Sequence, residues 1–158
     1  MDDRGYEQPF SSTLKFLLIS LIVLQSLGLL SALFGLVKSF SPTNAYEEIL
    51  QAPWMAVVTI VGKGLAIAGG VIMLNQKAWS GFHLYLAGKV LSFAVPTVFN
   101  LIYFDTMLEY LQMAFAESGL NVTPDLISGV FIGFTILGLI FTSLWPILIF
   151  NRRSEFPG

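Results

Sequence analysis

Cysteine is absent from this chain, and histidine occurs once, as His83. The first absence excludes disulfides, thiolate nucleophiles, iron–sulfur clusters and thiolate zinc sites. The second excludes a haem held by two histidines of one chain, and His83 has no evident co-ligands for a metal. Charge is scarce as well. It occupies 11% of the 158 residues, against about 25% in a soluble domain. The formal net charge is −2 and no basic arm is present, which argues against nucleic acid as a partner.

Acids are missing from one place in particular. None of the ten Asp and Glu residues falls inside a long apolar run. That removes the intramembrane carboxylates on which proton relays and cation sites depend. "GKG" at Gly62–Gly64 lacks the spacing of a phosphate-binding loop. A Lys–Ser hydrolytic pair at Ser92 has no evident oxyanion hole. The residues lean away from an enzyme, with an intramembrane enzyme kept as the third alternative, and nothing in the chain calls for a cofactor or a metal.

What is present is apolar, at 55% of residues. A spanning helix needs about 20 consecutive, mostly apolar residues. Four runs qualify, at about 14–37, 54–74, 82–104 and 126–150. They are too long, and alternate too little, for membrane strands. The first run follows an acidic leader and exceeds the core of a signal peptide, so it reads as a retained helix. The fold class expected is an all-α integral membrane protein: one domain over 1–158, a bundle of four transmembrane helices with short amphipathic helices in the two outer loops.

Charge sets the expected topology. With four spans, Arg4, Lys15, Lys77, Arg152 and Arg153 share one side, and Lys38 alone lies on the other. Basic segments stay cytoplasmic. Both termini are therefore expected in the cytoplasm, with the protein multi-pass in the cell (inner) membrane.

The outer loops carry helical patterns. In "SPTNAYEEILQAP", Asn44 and Glu47 have capping-box spacing, followed by an apolar face of Tyr46, Ile49 and Leu50. In "DTMLEYLQMAFAESG", the face is Met107, Leu108, Leu111 and Phe115. Both patterns suit helices lying on a membrane surface. Gly119 is expected to end the second, with Thr123 as N-cap and Pro124 as first residue of the fourth span.

Lipid gives no hydrophobic drive for helix association, so small residues mark the packing faces. Gly28 and Gly35 on the first run, Gly62 and Gly69 on the second, and Gly129 and Gly133 on the fourth are each expected to face a neighbour. The last two form a G-x-x-x-G, which also suits dimerisation.

Two lysines interrupt this apolar chain, Lys63 and Lys89. On a regular helix Tyr85, Lys89, Ser92, Pro96, Asn100 and Tyr103 share one face, and Thr59 and Lys63 share a face of the second run. Ionisable residues at such depth define a candidate ligand-binding site: Lys63, Lys89, Ser92, Asn100, Tyr85 and Thr59. Pro96 has no N–H and leaves a carbonyl without its helical donor. A tight hairpin is expected to set Lys63 level with residues 92–96, its ammonium on that carbonyl and the Ser92 hydroxyl, while Lys89 reaches toward cytoplasmic water. The function expected is an accessory or structural subunit acting by contact, in the lipid bilayer, with a membrane-protein partner or a second copy. The alternative is a transporter or channel-like protein for an anionic or amphiphilic solute.

Overall fold

The computed structural model describes residues 10–42 and 52–156, and these are all-helical. Four helices are long and apolar enough to cross a membrane: α1 Ser12–Ser39, α2 Pro53–Gln76, α3 Ser80–Ile102 and α5 Pro124–Phe150. Their ends lie within two residues of those expected from sequence. A shorter helix, α4 Phe104–Glu117, joins α3 to α5. The surface helix expected around Asn44–Leu50 lies outside the described residues.

The ends follow local chemistry. The Ser11 hydroxyl accepts the Leu14 N–H at 3.2 Å and starts α1, satisfying one of the orphan donors of its first turn. Pro53 stands in the first turn of α2, where a missing N–H costs nothing. Lys77 ends α2 in the left-handed conformation, at φ 51°. As expected, α4 stops at a left-handed Gly119, φ 79°, whose following N–H returns to the Phe115 carbonyl. Thr123 caps α5 and Pro124 opens it.

Inside α3 the chain departs from a regular helix. Val90–Ala94 form a π turn, and the Val95 N–H reaches back to Val90 rather than to Leu91. Pro96 follows at once and has no N–H to give. The wider turn takes up one extra residue, so every side chain beyond it is rotated from its expected face.

Packing is uneven. Helices α1, α2 and α3 make an antiparallel layer with α2 in the middle, and α5 lies more loosely against it. The core gathers at one end: Phe10, Leu14, Leu18 and Leu21 meet Met73, Phe82, Tyr85, Ile149 and Phe156. This end is also clasped by polar contacts. The Ser11 N–H and hydroxyl donate to the two oxygens of Glu155 at 2.8 and 2.9 Å, and Arg152 donates to the same carboxylate at 3.2 Å. Phe10 packs on Phe156, Trp79 stacks on Phe82, and Arg153 lies over the Trp79 ring. Partial desolvation pushes the Glu155 carboxyl upward, but the donors from Ser11 and Arg152 outweigh it and hold the carboxyl below its ordinary range.

Candidate functional site

The seam between α2 and α3 positions both lysines. A Cβ on Gly62 would stand 2.6 Å from the Ser92 nitrogen, and one on Gly69 would stand 2.5 Å from the Gly81 carbonyl. From the other side, a Cβ on Gly81 would meet Gly69, and one on Gly88 would meet Gly62 and Ala66. Backbone therefore rests on backbone, at a separation only glycine allows. Such contact brings Cα–H groups onto facing carbonyls and maximises dispersion. The packing role expected of Gly62 and Gly69 has this physical form, and Gly81 and Gly88 are their unrecognised counterparts.

This seam corrects the expected register. Position 62 meets 88 and 92, and position 69 meets 81 and 85. Lys63 thus stands level with Lys89, not with residues 92–96. The reason is the depth of the glycine contact: interlocking of Gly69 with Gly81 and Gly62 with Gly88 overrides the register that loop length alone suggests.

With the register moves the partner. The Lys63 ammonium donates to Gln25 Oε1 at 3.2 Å, across the α1–α2 interface. Its stem crosses α1 at Gly28, where a Cβ would lie 3.1 Å from both Cε and Nζ. Gly28 is therefore a small residue that makes room for a charge. The expected bond from Lys63 to Ser92 is not formed, and the buried Ser92 hydroxyl has no partner. Gln25 was the legible clue: it lies one turn from Gly28 on the same face of α1, and it is 4% exposed.

Lys89 turns along α3, with its ammonium 6.0 Å from the centre of the Tyr85 ring. Lys63 and Lys89 stand at one level of the seam, and between like charges the interaction is repulsive. Both lysines are half-buried. Among the described residues no carboxylate pairs with either of them. Each lies about 14–15 Å along its helix from the nearer end, which is far for a lysine stem to reach water. The Lys89 ammonium lies on the Tyr85 side, toward the N-terminus of α3, the direction in which it is expected to reach water. At the centre of a bilayer each ammonium costs about 2.5–3.5 kcal/mol to insert.

The rest of the expected site divides. Tyr85 and Ser92 are buried in the α2–α3 seam, and the Tyr85 hydroxyl has no hydrogen-bond partner. Asn100 lies past the π turn and lines a different place, a cavity of about 190 Å³ with Phe93, Thr97, Phe131, Phe134, Thr135 and Gly138. Tyr103 sits at the break between α3 and α4. The single polar face expected on α3 is thus cut in two by the π turn. Thr59 donates to the Met55 carbonyl of its own helix at 2.9 Å and joins neither group.

Three other expected packing glycines meet no neighbour among the described residues. A Cβ on Gly35, Gly129 or Gly133 would meet nothing within 4 Å. They lie on helix faces that no other described element covers. A second cavity, of about 480 Å³, opens where α4 meets α5 and is lined by apolar residues including Leu111, Phe115, Val130 and Phe134. Neither cavity is lined by Lys63 or Lys89.

No protein-family model matches the chain, and neither a curated protein nor a solved structure does so.

Proposed function

We propose that this chain is a multi-pass protein of the cell membrane, with both termini cytoplasmic, that works by contact as an accessory or structural subunit of a membrane assembly. The observation that carries the reading is the unused face of α5. Seam α2–α3 demonstrates how this sequence joins helices, through glycines that let backbones touch. Helix α5 holds the same device at Gly129 and Gly133, open along its length. Its neighbours on that face, Ile132, Ile136 and Ile140, are each at least half exposed. A second helix, from a partner or another copy, fits there by close packing. Exposed Phe16, Phe34 and Phe141 on the outer surfaces of the bundle suit lipid and not water. The basic side of the chain supports the orientation.

Native mass spectrometry from lipid nanodiscs tests this reading. The expected result is an assembly of fixed stoichiometry. A strict monomer would overturn it.

A second reading rests on a specific observation, the two level lysines without an acid. In it the chain moves an anionic or amphiphilic solute past Lys63 and Lys89. Lysine-dependent anion flux into liposomes from a monomeric protein would favour that reading over the first.

A further inference from the structure

We infer that Lys63 and Lys89 form a charge-pairing site for a carboxylate carried at mid-span by the transmembrane helix of a partner protein. The inference rests on the contact reading and names the chemistry of the partner.

The argument begins with donors. An ammonium has three N–H groups. One contact of Lys63 is known, to the neutral amide of Gln25, and Lys89 is near an aromatic ring. Neither contact neutralises charge. The two groups stand at one depth on helices in backbone contact, where like charges repel. Relief inside the chain would need an acid at that depth. The described acids all lie outside the interiors of the four long helices: Asp105, Glu109 and Glu117 on α4, Asp125 in the first turn of α5, and Glu155 beyond its end. Among the described residues no counter-charge stands at that depth, which leaves the pair open to one carried by another chain.

Its carrier follows from the surroundings. The lysines are half-buried on the helix surfaces and line neither described cavity. A water-borne anion would have to pass about 14–15 Å of apolar helix to reach them. A helix that is apolar elsewhere and acidic at its centre brings the carboxylate to that depth directly. Charge-assisted bonds from two ammonium groups then offset part of the insertion cost of the three charges. Both lysines keep part of their own surface open, and Val90 beside Lys89 is 58% exposed.

The probe is a leucine-rich peptide of about 20 residues with one aspartate at its centre, compared with the same peptide carrying leucine or asparagine there. Association with the full-length protein is read by energy transfer in liposomes. The aspartate peptide is expected to bind at least about tenfold more tightly than the leucine peptide, a margin of one charge-assisted bond. The preference should persist in the Lys63→Arg/Lys89→Arg variant and vanish in Lys63→Met/Lys89→Met, with helix content by circular dichroism unchanged. Equal binding of aspartate and leucine peptides to the native protein would overturn the inference without reference to any variant. So would a preference that survives the double methionine variant. Lysine-dependent stabilisation by sodium dodecanoate, with no aspartate preference, would assign the pair to a free amphiphile instead. If assemblies persist in nanodiscs while the aspartate preference is absent, the pairing fails and the contact reading stands. If the preference is present and the protein is strictly monomeric in nanodiscs, the pairing stands and assembly through α5 fails.

Discussion

Lys63 Nζ and Gln25 Oε1 stand 3.2 Å apart, joining α1 to α2 over a glycine that leaves room for the ammonium. A buried amide bonded to a charge is an interaction whose two halves are unequal when cut. Gln25→Leu leaves the ammonium without this acceptor and is expected to destabilise the protein by about 1–3 kcal/mol. Lys63→Met keeps the stem and removes the insertion cost, so stability should change little. The double variant Gln25→Leu/Lys63→Met should be more stable than Gln25→Leu alone. Thermal unfolding in detergent measures all three, and equal losses in the two single variants would contradict the pairing.

The glycines separate into two classes. Gly69→Ala puts a methyl against the Gly81 carbonyl and the Tyr85 backbone, and overpacking of this kind typically costs about 1–3 kcal/mol. Gly133→Ala meets open space and should leave monomer stability within about 0.5 kcal/mol of the native value. Unfolding of the monomer in detergent compares them. Similar losses for both would show that the α2–α3 seam is not the tight one.

The clasp of Ser11 with Glu155 should loosen in acid. A carboxyl held below its ordinary range stabilises the folded state above the unfolded carboxyl pKa, and this contribution is lost as pH falls through the folded pKa. Above pH 5 the clasp should be pH-independent. On acidification below the ordinary carboxylate range, quenching of Trp79 by its neighbours should weaken in the native protein and remain constant in Glu155→Gln. A native pH profile identical to that of Glu155→Gln would remove the carboxylate from the clasp.

Orientation is open to a clean test because the chain has no cysteine. Ser12 and Ser118 are both exposed, at opposite ends of the layer. In the proposed topology an impermeant thiol reagent on intact cells labels Ser118→Cys and leaves Ser12→Cys unmodified. Labelling of Ser12→Cys would invert it.

Much of the architecture was legible in the residues. Run length set the four long helices, and Gly119, Thr123 and Pro124 set the turn between α4 and α5 through backbone conformation and capping. Such signals are local, so sequence carries them. Failures came where a distant contact decided. The depth of the glycine seam, not loop length, set the level of Lys63 against Lys89. The π turn before Pro96 moved Asn100 away from Tyr85 and Ser92, because one added residue in a turn rotates everything after it. Small residues at Gly129 and Gly133 have the spacing of a packing face, yet spacing says nothing of whether the neighbour belongs to the same chain. The clasp joins Ser11 to Glu155 across the length of the sequence, and no local pattern announces it.

Contact through α5 is tested most directly by photo-crosslinking in the native membrane. Ile136 shares the face of Gly129 and Gly133, at spacings of seven and three residues. Phe16, 68% exposed on α1, serves as the control. With benzoylphenylalanine placed at each site in turn, the account predicts a protein adduct of one defined mass at Ile136 and lipid adducts alone at Phe16. Lipid adducts alone at Ile136 would contradict it.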